Sequence, residues 1–250
     1  PTPIKQGIFP LLKDNRQDII WVGTDGNGVI NWQMDDLSFE EIRFSKLPVT
    51  VRMPIRSIIL DKTGTLWCGT KGDGIFTIRG LSPYMHLNDE NVKKFTTSNS
   101  ALTSNHVYSI SQAHNDSGLW IGSDGPGINF YGYSGQKIRV VPGSESLTKV
   151  HVIYQQDENT LWISTHGRGV FKCRLEDAGS ERPSITSIER ITLPAPFTTH
   201  ANIFSMYAPN DSTIYFGSRG SGIARLSTKS NEAQILEAPT DQGYAANDIY

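Results

Sequence analysis

The stretch Leu66-Trp67-Cys68-Gly69-Thr70-Lys71-Gly72-Asp73-Gly74-Ile75 decides how the chain is read, because its pattern occurs five times. It superposes without gaps on residues 20–29, 119–128, 161–170 and 214–223. The residues in its tryptophan slot (Trp21, Trp67, Trp120, Trp162 and Tyr215) lie 46, 53, 42 and 53 positions apart. A period of that size is the length of one four-stranded blade of a β-propeller.

Each unit has the same grammar. An apolar run (55–60, 107–111, 150–154, 203–207) comes first, followed by a polar turn; this is the innermost strand, A, and its hairpin. The quoted segment is dense in β-branched and aromatic residues, as a buried strand B should be, and its Gly-x-Gly supplies a tight turn into strand C. Strand C is expected at 29–32, 75–78, 128–131, 170–174 and 223–226. A more polar edge strand D is expected near Ile42, Val92, Ile138, Ile188 and Ile235. No stretch sustains a 3.6-residue apolar period, so the chain reads as all-β. The blades are expected at about 7–45, 52–97, 103–142, 147–194 and 200–237, within one propeller segment spanning 1–250. A sixth starts at 244–250, where Asn247-Asp248-Ile249-Tyr250 matches Asn105-His106-Val107-Tyr108. Five blades and a start suggest part of a larger ring, with five-bladed closure or completion by a second copy as the alternatives.

Composition narrows the function. The chain has 250 residues, with 23 Lys and Arg against 25 Asp and Glu for a net charge of −2, so no basic field gathers nucleic acid. No apolar run approaches the roughly 20 residues needed to span a bilayer, and direct membrane insertion is not expected. Cys68 and Cys173 occupy apolar strand slots and read as ordinary buried thiols. The six histidines lack paired metal-ligand spacing, and the glycine-rich turns lead into strands rather than opening a helix or closing on a calcium-ligating Glu. No cofactor or metal is expected. Asp61 reads as the side-chain acceptor that fixes the turn between strands A and B.

The run Asp61-Lys62-Thr63-Gly64-Thr65-Leu66-Trp67-Cys68-Gly69-Thr70, with the linker Leu102-Thr103-Ser104-Asn105 before the next strand A, closely resembles the two-component-regulator propeller repeat. The resemblance covers almost the whole chain. Ser164 in place of Gly, Tyr215 in place of Trp, and the missing turn glycine of the first unit depart from the pattern. The resemblance implies a seven-bladed propeller in the periplasmic sensor region of a hybrid histidine kinase, commonly one responding to oligosaccharides. Further propeller and signalling domains would lie in the same polypeptide, and a homodimer is possible. The repeated residues build blades, so they specify fold far better than ligand.

Candidate ligand contacts come from the column just after the residue that opens strand A: Arg56, Tyr108, His151 and Phe204, with Tyr250 and Phe9 or Pro10 in the outer units. Aromatic faces stack on sugar rings while Arg and His hydrogen-bond to hydroxyls, so a neutral or weakly anionic carbohydrate suits this column. Asn105, His106 and Asn202, just before strand A, are neighbouring candidates. The competing reading is that these side chains pack between blades. No catalytic residue is expected. The enzyme alternatives are a lyase of the streptogramin-inactivating type and a glycosidase, and the third class is a non-catalytic dimerisation scaffold. The sialidase Asp-box does not fit, since Lys62 and Thr63 intervene between Asp61 and Gly64 and Ile59 stands where its serine would be.

Overall fold

The computed structural model describes residues 8–16, 18–26, 28–33, 53–80, 90–197, 202–218 and 221–236. These form five antiparallel sheets around a common axis, a five-blade propeller arrangement with no helix among the described residues. The first blade contributes β1 (Ile8–Asp14), β2 (Ile19–Thr24) and β3 (Val29–Gln33); the strand expected near Ile42 lies outside the described residues. The second holds β4 (Ile55–Leu60), β5 (Leu66–Thr70), β6 (Ile75–Ile78) and β7 (Val92–Phe95). The third holds β8 (Val107–Gln112), β9 (Gly118–Ser123), β10 (Asn129–Gly132) and β11 (Lys137–Val140). The fourth holds β12 (Val150–Gln155), β13 (Thr160–Thr165), β14 (Gly169–Glu176) and β15 (Ser184–Ile191). The fifth holds β16 (Ile203–Asn210), β17 (Thr213–Ser218), β18 (Ile223–Ser227) and β19 (Ala233–Leu236). Every sheet pairs its strands in chain order, and the first strands touch in succession from β1 to β4, β8, β12 and β16. No comparable contact joins β16 back to β1 among the described residues.

Strand B carries the devices that hold one blade to the next. Its glycine lets the following strand A approach closely: a methyl group at Gly69 would lie 2.8 Å from Val107 Cγ1, and one at Gly122 2.8 Å from Val150 Cγ1. Gly23 stands in the same relation to Ile55. The fourth unit has Ser164 instead, and its Oγ turns the close approach into a hydrogen bond to the Ile203 carbonyl (3.4 Å). In every case the opening residue of the following strand, Ile55, Val107, Val150 or Ile203, is completely buried.

The tryptophans fill the same interfaces. Trp67 stacks on Phe95 of its own blade and meets Tyr131 of the next with ring centroids 4.5 Å apart. Trp120 joins the cluster containing Val150 and Leu161, and Trp162 the cluster containing Ile203 and Phe216. Their indole N–H groups are met in different ways. Trp67 Nε1 donates to Asp61 Oδ2 (2.8 Å), Trp120 Nε1 to Gln155 Oε1 of the next blade (2.8 Å) and Trp162 Nε1 to Gln156 Oε1 (2.8 Å). Asp61 Oδ1 also accepts the backbone N–H groups of Thr63 (2.8 Å) and Thr65 (2.9 Å), so the buried carboxylate fixes the A-to-B turn, as the sequence suggests, and in addition ties it to the tryptophan. In the first blade this link is broken: Asp14 Oδ2 and Trp21 Nε1 are both buried and make no hydrogen bond. The turn there lacks the glycine that Gly64 provides at φ +81°, and Asp14 sits one residue further from its tryptophan than Asp61 does.

Asp61→Ala should therefore lower stability by about 3 kcal/mol, since it strips the acceptor from several buried donors at once. Asp14→Ala should cost clearly less, as its Oδ2 meets no donor and its Oδ1 serves only the neighbouring, half-exposed Arg16. Gly122→Ala should cost about 2 kcal/mol by overpacking against β12, whereas Ser164→Ala forfeits only one long hydrogen bond. Urea unfolding midpoints of the four variants check the ranking.

Candidate functional site

The site is set by a β-bulge at the start of each innermost strand. Register slips by one residue between Ile55 and Ser57, Val107 and Ser109, Val150 and Val152, Ile203 and Ser205, and also between Ile8 and Leu11. The opening residue is fixed in the notch of the preceding blade, and the next residue on the partner strand pairs with the third. The second residue is left over, and such a bulge re-aims its side chain. Those second residues are Arg56, Tyr108, His151 and Phe204, the column singled out from the sequence.

Three of them form a continuous arc. The Tyr108 and His151 rings lie 4.6 Å apart and the His151 and Phe204 rings 4.7 Å apart, although each residue belongs to a different blade. Two turn-tip residues join the arc. His166 approaches His151 (5.3 Å between rings) and meets Phe204 edge-on (6.2 Å). Asp124 Oδ2 accepts the Tyr108 hydroxyl (3.3 Å) and lies 3.4 Å from His106 Nδ1. Arg56 is close enough for its charge to act on Tyr108. The set is thus an aromatic and imidazole surface with a carboxylate on one side and a guanidinium nearby.

Exposure differs sharply within it. His106 and His166 are exposed, and Arg56, Tyr108, Asn202 and Phe204 are half-buried. His151 retains only 7% of its surface, and its Nδ1 is buried with no hydrogen-bond partner. Burial, and then the neighbouring His166, push its imidazole down to about 4 from an ordinary 6.5, so it is neutral at physiological pH. Burial and Asp124 raise the Tyr108 phenol.

The remaining candidates serve the blade joints. The Asn105 carbonyl accepts the N–H groups of Gly72 (3.0 Å) and Gly74 (2.9 Å) from the preceding blade, and its side-chain Oδ1 accepts Thr97 N–H (2.9 Å). His106 and Asn202 form single bridges to the preceding turn tips, Lys71 and His166. Asp124 and His166 each sit just after a strand B, at a turn tip, and their convergence on strand A residues was not legible in the sequence. Among the described residues no three His, Cys, Asp or Glu side chains gather as a metal site. Two concavities lie elsewhere among the described residues. A cleft of about 300 Å³ is lined by Arg139, Pro142 and Glu181 at the joint of the third and fourth blades. A groove of about 520 Å³ lies on the fifth blade.

Because His151 is neutral when folded and binds a proton more readily when unfolded, it penalises folding as pH falls from 6.5 toward 4 and contributes nothing above that window. His151→Gln should flatten the acid limb of the stability curve over that range, and the histidine ring signals of the native protein should show His151 titrating near 4. A midpoint near 6.5 would contradict its burial.

No protein-family profile and no curated protein sequence matches the chain. Its fold is nevertheless similar to that of solved bacterial proteins. Against the extracellular domain of BT4673 from B. thetaiotaomicron, described as a hybrid two component system, the TM-score is 0.62 at 15% identity over 94% of this chain. A second structure of a BT4673 extracellular domain, described as a one component system, gives 0.54 at 14% identity over 93%. The extracellular domain of BT3049 from the same organism, described as a hybrid two component system, gives 0.50 at 13% identity over 97%. The chain spans only 28% to 36% of the length of these structures. At such identities the likeness is one of fold: this chain is built like a section of the extracellular domains of two-component sensors.

Proposed function

We propose that the chain is part of the extracytoplasmic sensing region of a two-component regulator and that it contacts a carbohydrate at the inner arc. The observation that carries this reading is the convergence of Tyr108, His151 and Phe204, from three successive blades, onto one aromatic surface beside Asp124 and Arg56. Apolar ring faces flanked by a few directional polar groups suit a sugar, whose axial C–H face stacks while its hydroxyls need donors and acceptors. Half-buried Tyr108 and Phe204 supply the stacking faces, exposed His166 and His106 supply hydrogen bonds, and buried His151 holds the two rings at their separation. The extracellular neighbours and the two-component resemblance support a periplasmic location. Signalling follows by population shift: a ligand bridging residues of separate blades favours one arrangement of propellers, and the difference passes to a kinase elsewhere in the polypeptide.

The test is ligand-induced thermal stabilisation against a panel of neutral and uronic-acid-containing oligosaccharides. Tyr108→Ala combined with Phe204→Ala should abolish the shift given by the responding sugar, with the ligand-free melting temperature lowered only modestly because both rings are half-exposed. His151→Ala should instead lower the ligand-free melting temperature. Retention of the sugar response in the Tyr108 and Phe204 double variant would refute the inner arc as the binding surface.

A further inference from the structure

The loop between β14 and β15 is clamped onto the third blade at two points. Glu181 accepts the backbone N–H groups of Ser134 and Gly135 in the turn between β10 and β11. Four residues on, the Ile185 N–H donates to the Pro142 carbonyl just after β11 (2.8 Å). Arg182 and Pro183 lie between the clamps and line one side of the cleft of about 300 Å³. Arg139, Val140 and Pro142 line the other, with fully buried Phe130 and Val141 beneath them. Both sides are therefore held in place before any ligand arrives, which lowers the ordering cost of binding.

One strong donor in this cleft is unmet. The Arg139 guanidinium is half-buried, its Nη1 is completely covered, and among the described residues that nitrogen has no hydrogen-bond partner. Glu181 feels the Arg139 charge, but both of its carboxylate oxygens accept from the Ser134 and Gly135 backbone. Exposed Arg182 adds a second positive charge, so two guanidinium groups face one carboxylate that is already engaged. A partly desolvated guanidinium without an acceptor is costly, and its planar fork matches the two oxygens of a carboxylate. The remaining lining is aliphatic, prolyl and aromatic, and offers no side-chain partner to a ligand hydroxyl. We propose that this cleft is a second binding site, on the joint of the third and fourth blades, for a compact carboxylate with an apolar body. The carboxylate pairs with Arg139 and the body lies against Val140, Pro142 and Pro183. This site does not depend on the carbohydrate reading of the inner arc.

Two-dimensional NMR titrations of the 250-residue chain with benzoate, with neutral benzamide of the same shape, and with glucuronate test this. Benzoate should shift the Phe130 ring and Arg139 Nε–H signals and bind about tenfold more tightly than benzamide, since only a charged acceptor satisfies the guanidinium. Glucuronate should bind more weakly than benzoate, because its hydroxyls find no partners along the apolar lining. Arg139→Gln should remove the preference for benzoate over benzamide, and Arg139→Lys should keep part of it. Glu181→Gln, which leaves an acceptor for the turn but withdraws the opposing charge, should tighten benzoate. Tyr108→Ala combined with Phe204→Ala should leave benzoate affinity unchanged, so a failure at the inner arc and a failure here are told apart. Equal affinity for benzoate and benzamide would overturn the proposal. So would an Arg139→Gln variant that melts earlier yet keeps the preference, since Arg139 would then only brace the loop. Glucuronate binding more tightly than benzoate at the same signals would overturn the apolar body.

Discussion

Each blade leaves one face unfinished, and the next blade completes it. The strand B glycine removes a side chain where the neighbouring strand A must pass, and the tryptophan two positions earlier supplies the bulk that this strand covers. Gly69 and Trp67 do this toward Val107 and Tyr131, and Gly122 and Trp120 do so toward Val150 and Leu161. The interface is therefore directional, with a notch on one blade and a plug on its successor, and stability accumulates joint by joint as in other repeat proteins. Ser164 shows how far the rule bends: a hydroxyl is tolerated because the Ile203 carbonyl stands in reach to accept its proton.

The inner arc is a by-product of the same constraint. Once the first residue of strand A is committed to the notch, alignment of the remainder with strand B requires one residue to be skipped, and the resulting bulge sends the second side chain to a place where structure makes little demand on its identity. Arg56, Tyr108, His151 and Phe204 share that position, where a guanidinium, a phenol, an imidazole and a phenyl ring are all accommodated. A scaffold that pins its neighbours on either side while leaving this column free is suited to carrying recognition, because substitutions there need not disturb the joints. His151 is the exception, since it is buried between two rings and trades availability for packing.

Much of this was legible in the sequence because it is repeated. The Gly-x-Gly turns, the apolar strand A runs and the acceptor role of Asp61 follow from local chemistry and recur in register, and the candidate column followed from aligning them. The bulge was not legible, as one skipped residue leaves no compositional mark. Nor were the contacts of Asp124 with Tyr108, within the third blade, and of His166 with Phe204, across the joint of the fourth and fifth, since both depend on where the turn tips come to rest in space. Asn105 looked available for a ligand, but its carbonyl and amide oxygens are both taken by backbone N–H groups at a joint. The unmet Trp21 Nε1 and Asp14 Oδ2 reflect a turn whose missing glycine was visible in the sequence, though its consequence was not.

The most direct measurement is a two-dimensional aromatic NMR titration of the chain with an oligosaccharide that stabilises it. The ring signals of Tyr108, His166 and Phe204 should shift together and saturate at one concentration, while the indole N–H of Trp120, sealed in a blade joint, stays unmoved. Shifts confined to residues around the Arg139 cleft, with the arc silent, would contradict the inner arc as the recognition surface.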